Sequence, residues 1–232
     1  MAMIRDNVAR IRDRIAAICP KAGRHPEEIT LVGVTKFASI EDIDQAVAAG
    51  INDIAENRVQ EAQKKFPLVN PAGRKLTRHL IGHLQTNKVK AALNICDLIQ
   101  SVDSLKLAGE IERQAAQAGR VADILMQVNT ARETQKYGIA PEEALPLIGE
   151  VLKLPKVRIL GLMAMAPFTE DAKVISACFG DLRRLKENIE RSFPDKPGVQ
   201  MKYLSMGMSH DFEIAIAEGA NMVRIGTAIF KE

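Results

Sequence analysis

The chain has 232 residues, of which 47% are hydrophobic and 26% are charged, so it holds enough apolar material for a substantial core. Its 32 basic and 29 acidic residues give a formal net charge of +3, and its aromatic content is 4% without any Trp. So small a basic excess with so few stacking platforms argues against RNA or DNA binding, and no apolar stretch reaches the length of a membrane span. We therefore expect neither a specific nucleic acid nor a membrane as a partner.

The three cysteines and the first helix indicate the compartment. Cys19, Cys96 and Cys178 are odd in number and far apart, which is typical of a reducing environment and not of a disulfide framework. Residues 1–19 carry charges from Arg5 to Arg14, so this segment lacks the uncharged centre of a secretory signal. These features predict a cytoplasmic protein.

Strand-like and helix-like segments alternate along the chain after a first amphipathic helix. Apolar residues recur at helical spacing from Ile4 to Ile18, and Pro20 ends that helix. Pro146 predicts a late start or a kink in the helix at 141–154. The strands are predicted at 29–37, 53–56, 78–84, 98–102, 122–129, 157–166, 202–206 and 221–230. The helices between them are predicted at 40–49, 58–66, 86–96, 104–117, 141–154, 170–191 and 209–217.

Eight strands of this kind predict a closed barrel. Continuous apolar strands, as opposed to alternating ones, indicate parallel strands that are covered on both faces. An open sheet of eight strands would be unusually wide, whereas a closed (β/α)8 TIM barrel satisfies the count. We therefore expect one α/β domain over residues 1–232, with an extra helix at its N-terminus.

Lys36 closes the apolar run 31–35, where the first strand is expected to end. Residues just past the C-terminal ends of the strands form the active face of such barrels. We expect burial to strip water from the Lys36 ammonium and to free its lone pair for imine formation with an aldehyde. The alternative is a structural ion pair with a carboxylate such as Glu56.

Two glycine turns near the end of the chain are candidates for binding a phosphate. Gly207 and Ser209 follow the seventh strand, and Gly226 and Thr227 lie in the eighth unit, where phosphate sites recur in this fold. The alternative is that both glycines simply turn the chain. An amine that faces two such turns is what an aldehyde cofactor with a phosphate requires, so the sequence predicts pyridoxal 5′-phosphate (PLP).

Other polar residues are expected near this face. Arg224 stands on an otherwise apolar strand, so its guanidinium either faces the barrel mouth, where it could donate to a pyridine nitrogen, or forms a surface salt bridge. Asn57 follows the second strand. His83 ends the predicted third strand, where we expect it to flank the ligand, and His79 is expected in the core. Their spacing supplies no third ligand, so we predict no metal site.

Six blocks in order along the chain carry a family resemblance. They are 31–36 (LVGVTK), 55–61 (AENRVQE), 79–88 (HLIGHLQTNK), 161–167 (GLMAMAP), 204–211 (LSMGMSHD) and 223–230 (VRIGTAIF). In these blocks the chain resembles the pyridoxal phosphate homeostasis proteins, which in turn resemble the barrel domain of alanine racemase without its β-rich second domain. The resemblance runs nearly from end to end.

The resemblance implies a role for each candidate residue. It implies that Lys36 carries PLP as an internal aldimine, that Asn57 lies near the ring and that Arg224 faces the pyridine nitrogen. It also implies a monomer, and a secondary lysine, Lys136, that can accept the aldehyde. The residues that it implies around the phosphate are Ser205, Met208, Ser209, Gly226 and Thr227.

The sequence favours a carrier over an enzyme. A racemase of this architecture needs two bases on opposite faces of the substrate, typically the lysine and a tyrosine lent by a second domain. The tyrosines of this chain are Tyr137 and Tyr203. We therefore expect a PLP-binding protein of intracellular PLP homeostasis that exchanges the cofactor with apo-enzymes, without catalytic turnover. A PLP-dependent racemase or Schiff-base lyase is the alternative, and a barrel that binds RNA or protein without the cofactor is a third hypothesis.

Overall fold

The computed structural model describes residues 2–71, 73–133 and 135–231. Met1 and Glu232, the two ends of the predicted domain, lie outside these residues. Eight parallel strands close into a barrel in chain order, and β8 pairs with β1 through Leu31 and Val223. The strands are β1 Thr30–Val34, β2 Asp53–Glu56, β3 Thr77–Leu80, β4 Leu98–Val102, β5 Ala122–Gln127, β6 Val157–Met163, β7 Val199–Ser205 and β8 Met222–Ile225. The predicted TIM barrel is confirmed.

The helices cover the outside of the barrel. They are α1 Ala2–Ile18, α2 Ile40–Ala48, α3 Val59–Lys65, α4 Val89–Ile95, α5 Leu105–Gln117, α6 Ala144–Val151, α7 Ala172–Ser192, α8 Phe212–Ala217 and α9 Thr227–Phe230. Pro146 lies in the first turn of α6, where its missing N–H costs no helical hydrogen bond, so the late start is confirmed. Within the described residues, no helix combines the length and apolar character that crossing a bilayer requires.

The apolar side chains form two layers, as strands that are buried on both faces require. The larger layer lies between the sheet and the helices and includes the stripe of α1 from Ile4 to Ile15. The smaller layer fills the barrel, with Val32 and Val34 of β1 facing Leu125 and Met222 from other strands. The predicted amphipathic first helix is confirmed, and it packs against α2, α8 and α9.

Six of the eight strands end earlier than the apolar pattern predicts, and β3 and β8 differ the most. β3 stops at Leu80, not at residue 84, because Gly82 passes so close to Asn57 that a Cβ at this position would lie 2.1 Å from the Asn57 carbonyl oxygen. β8 stops at Ile225, and the apolar residues after Gly226 form α9. The Asn7 side chain of α1 donates to the Ile229 carbonyl at 3.0 Å, which ties this short helix to the first one.

Candidate functional site

A cavity of about 280 Å³ opens at the C-terminal ends of the strands. Its volume is near the lower end of the range for small-molecule sites. It is the place where the loops after β1, β2, β6, β7 and β8 meet, as the barrel topology requires. The predicted residues in its wall are Lys36, Asn57, Met208, Ser209, Arg224, Gly226 and Thr227.

Lys36 lies in this wall, but it is exposed to solvent. The expected loss of hydration is therefore wrong, and the physical reason is that β1 ends at Val34, so that the chain turns outward at Lys36 and Phe37. The Lys36 Nζ atom lies 5.2 Å from the centre of the Phe37 ring. Among the described residues, this amine takes part in no ion pair.

The carboxylate that sequence alone offered as a partner for Lys36 is bound to another lysine. Glu56 is 1% exposed, and its Oε1 atom accepts from Lys65 Nζ at 2.9 Å and from Thr35 Oγ1 at 2.8 Å. Lys65 Nζ also donates to the Thr35 carbonyl at 2.7 Å. The structural alternative for Lys36 is therefore wrong, because the ion pair of the buried Glu56 carboxylate is with Lys65, whereas Lys36 is exposed to solvent.

Arg224 is buried beneath the cavity, and among the described residues it forms no surface salt bridge. Its Nη1 donates to Ser205 Oγ at 2.7 Å, and its Nη2 donates to the Ala164 carbonyl at 2.9 Å. Burial lowers the pKa of Arg224 to about 10, which the nearby Asp211 carboxylate opposes, so the group keeps its charge at neutral pH. A guanidinium has five N–H donors, of which these two bonds use two, and Arg224 is one of the residues that line the cavity.

The two glycine turns meet in the cavity wall. Gly207 has φ +94°, and a Cβ there would lie 2.7 Å from Ala215 Cβ, so the turn after β7 requires glycine. Ser209 Oγ accepts from the Ala228 N–H at 3.3 Å, which joins this turn to the start of α9. At Gly226, which also lines the cavity, a Cβ would lie 3.2 Å from the Val34 carbonyl oxygen, so there is little room for a side chain.

Ser205 and His83 do not belong to this wall. Ser205 is fully buried, and its hydroxyl is bound to Arg224 and, at 2.6 Å, to Gln100 Oε1. His83 follows the early end of β3 and lines a neighbouring cavity of about 530 Å³ that shares Asn57 with the first one. The expected position of His83 at the end of a strand is therefore wrong.

The neighbouring cavity has an aromatic side, and the histidine on that side lies near an acid. The His83 and Tyr137 rings stack at 4.0 Å with an angle of 12° between their planes. His83 Nδ1 lies 3.9 Å from Asp103 Oδ2, and burial raises the pKa of Asp103 although His83 opposes this shift. Lys136, the secondary lysine, is bound to Glu133 Oε1 and to a backbone carbonyl, both at 2.9 Å.

Some residues of the site carried no sequence signal that identified them. Phe37, Phe168 and Phe230 line the first cavity, and an aromatic residue in a loop says little by itself. Gln100 did carry a signal, since it interrupts the apolar strand Leu98–Val102, and it proves to be fully buried. Among the described residues, no group of three or more His, Cys, Asp or Glu side chains is arranged to hold a metal ion.

Comparison with known proteins defines the class first. The family model of the alanine racemase N-terminal domain matches residues 4–232. The fold and the cavity at the C-terminal ends of its strands therefore define a barrel of the alanine racemase N-terminal type.

Closer relatives define the family. The pyridoxal phosphate homeostasis protein of Aquifex aeolicus is 40% identical over 227 residues, which cover 98% of this chain and 97% of the relative. PipY of Synechococcus elongatus PCC7942, solved with PLP bound, superposes with a TM-score of 0.81 at 34% identity, covering 95% of this chain and 99% of PipY. The crystal structure of an unknown protein from Bifidobacterium adolescentis superposes with a TM-score of 0.92 at 37% identity. The match covers 99% of this chain and 95% of that protein's chain. This chain belongs to the pyridoxal phosphate homeostasis protein family.

Proposed function

We propose that the protein binds PLP in the 280 Å³ cavity, with Lys36 as its covalent anchor, and serves PLP homeostasis without catalytic turnover. The observation that carries the proposal is that an exposed lysine amine, free of ion pairs among the described residues, lines the same cavity as the two glycine turns. The PLP bound to PipY, a relative at 34% identity, supports the choice of ligand.

The donors in the wall fit the parts of this cofactor. When bound, PLP supplies an aldehyde, which condenses with a primary amine to an imine and releases water. Lys36 would provide the amine, and its exposed position allows capture and release. Ser209, Gly226 and Thr227, which line the cavity together, would hold the phosphate with a hydroxyl and backbone N–H groups.

Arg224 suits a PLP ring that carries no proton on its nitrogen. A guanidinium has donors and no acceptor, so beside a pyridine nitrogen it can donate a hydrogen bond but cannot hold a proton on the ring. An unprotonated ring is a weaker electron sink, and carbanion chemistry depends on that sink. The hydroxyl of Ser205, which the resemblance assigns to the phosphate, would instead hold Arg224, since it already accepts from the guanidinium.

The surface around the cavity supports apo-enzymes as recipients. Phe168 is fully exposed, Phe37 is 72% exposed and Met208 is 39% exposed, and all three line the cavity. Apolar side chains grouped at the mouth of a site are typical of surfaces that contact another protein. We also propose that the protein is a cytoplasmic monomer. Its three cysteines are buried and free, which suits a reducing compartment.

Reconstitution of an apo-enzyme tests the carrier role. Protein loaded with PLP is mixed with an apo-aminotransferase, with and without a dialysis membrane between them, and recovery of aminotransferase activity is followed. We expect recovery in both arrangements, because an imine at an exposed lysine is reversible. Loaded Lys36→Met protein, freed of unbound PLP, should restore little activity. A loaded wild-type protein that never yields its cofactor would contradict the proposal.

Chiral analysis tests the enzymatic alternative. The loaded protein is incubated with L-alanine, L-serine and L-threonine, and the enantiomers and cleavage products are quantified. We expect the loaded protein to convert no more amino acid than a control mixture of free PLP and the Lys36→Met variant. Turnover at enzyme-like rates that Lys36→Met abolishes would establish the racemase or lyase in place of the carrier.

A further inference from the structure

A continuous row of hydrogen bonds runs through the inside of the barrel from the cavity to the opposite face. Arg224 Nη1 bonds to Ser205 Oγ at 2.7 Å, and Ser205 Oγ bonds to Gln100 Oε1 at 2.6 Å. Gln100 Nε2 bonds to His79 Nδ1 at 2.9 Å, and His79 Nε2 bonds to Asp53 Oδ1 at 3.0 Å. We call these five residues the interior network.

The network joins two ends of the molecule. Arg224 lies in the cavity wall, whereas Asp53 is the first residue of β2 and therefore lies at the N-terminal face, with 21% of its side chain exposed. The three residues between them are buried, with exposures of 0% for Ser205 and Gln100 and 1% for His79. A buried polar group without a partner is costly, so each bond of the network constrains the next one.

The direction of the bonds follows from the guanidinium, which can only donate, and from the Gln100 oxygen that faces Ser205. Arg224 can only donate, so Ser205 Oγ accepts from it and directs its own proton to Gln100 Oε1. The Gln100 amide nitrogen then donates to His79 Nδ1, which leaves the imidazole proton on Nε2, where it faces Asp53. Gln100 Nε2 also lies 3.3 Å from Met222 Sδ, a weak acceptor, which favours the same orientation of the amide.

We propose that Asp53, His79, Gln100 and Ser205 are positioning residues that fix the Arg224 guanidinium in the cavity wall. The role for the ligand rests on the proposed function, whereas the order of the network is a property of the protein alone. Among the described residues Arg224 forms no ion pair, and besides the nearby Asp211 the interior network links it to Asp53 through the three side chains between them. Along the interior network each donor points in the direction from Arg224 to Asp53, and in such a row each hydrogen bond strengthens its neighbours.

The first test uses the protein without cofactor. Nitrogen-15 NMR of the four histidine side chains, with His79 assigned through a His79→Gln variant, reports which ring nitrogen carries the proton. We expect the Nε2–H form with an unprotonated Nδ1. A proton on Nδ1 of the neutral ring would overturn the proposal, because Gln100 could not then donate to His79.

The second test compares two buried serines. Ser205→Ala removes the network hydroxyl, whereas the matched control Ser101→Ala removes another buried hydroxyl, which donates to the Gly82 carbonyl at 2.7 Å. We expect Ser205→Ala to speed hydrogen exchange at the Arg224 guanidinium about tenfold and to weaken PLP binding about tenfold, while the visible band of the lysine-bound cofactor persists. Ser101→Ala should change neither quantity.

The outcomes separate this proposal from the proposed function. Equal Arg224 exchange and equal PLP affinity in the two serine variants would overturn the positioning role, whatever the fate of the cofactor. Lys36→Ala should abolish the covalent band and leave exchange at Arg224 unchanged. A band that persists in Lys36→Ala would instead overturn the anchor, and the histidine and exchange measurements would still decide the positioning role.

Discussion

Replacing Lys65 by methionine should cost the protein a large part of its stability. The Glu56 carboxylate is 1% exposed and has two donors at one oxygen, Lys65 Nζ at 2.9 Å and Thr35 Oγ1 at 2.8 Å. Lys65→Met leaves this charge buried with a single hydroxyl donor, and breaking such a pair from one side costs about 3–5 kcal/mol. For a chain of this size the melting temperature should fall by roughly 6–20 °C.

The matched control is the same substitution at the exposed lysine. Lys36→Met removes an amine that takes part in no ion pair among the described residues. The free energy of unfolding of this variant should therefore stay within about 0.5 kcal/mol of the wild-type value. Thermal melting by circular dichroism and urea titration at neutral pH measure both variants. Adding Glu56→Gln to Lys65→Met should recover part of the loss. Equal costs for the two methionine variants would refute the assignment of Lys65, and not Lys36, as the partner of Glu56.

The structure makes three further predictions. Gly207→Ala should destabilise the protein by about 1–3 kcal/mol, because φ is +94° and the new Cβ would lie 2.7 Å from Ala215 Cβ. Gly109→Ala is the control: it lies in a helix, its new Cβ would have no heavy atom within 4 Å, and it should raise the urea midpoint. Burial raises the pKa of Asp103, so the folded state binds this proton more tightly than the unfolded chain does, and the ionised carboxylate lowers stability at neutral pH. Asp103→Asn should therefore stabilise the protein at pH 7. This gain should vanish as the pH falls below 3.8, the ordinary pKa of an aspartate. Burial also raises the pKa of the Cys96 thiol to about 12, so a thiol reagent at pH 8 should label it only after unfolding, and rapid labelling of the native protein would contradict the structure.

Much of the architecture could be predicted because it depends on periodicity. Continuous apolar runs separated by helical patterns specify eight parallel strands, and the bounds of β2 and β4 agree with the expectation. The ends of β3 and β8 could not be predicted, because they depend on contacts between segments far apart in sequence. Gly82 leaves the sheet to pass Asn57, and the residues after Gly226 pack as a helix against α1.

The sequence predicts which residues line the site better than it predicts how exposed they are and which ion pairs form around them. Residue type and a position in or just past the C-terminal end of a strand suffice to bring Lys36, Arg224 and Gly226 to one cavity. The exposure of Lys36 and the choice of Lys65 as the partner of Glu56 depend on where β1 ends and how α3 packs, which one sequence does not reveal. The interior network needs side chains from five strands, and residue patterns carry no signal for their mutual hydrogen bonds.

Borohydride reduction followed by peptide mapping tests the central claim most directly. The protein is mixed with one equivalent of PLP and reduced, and the modified lysine is located by mass spectrometry. We predict that the label lies on Lys36, whose amine is free of ion pairs among the described residues, and not on Lys136, whose amine is bound to Glu133 and to the Ala166 carbonyl. A label on Lys136 with Lys36 unmodified, or labelling spread evenly over surface lysines, would contradict the account.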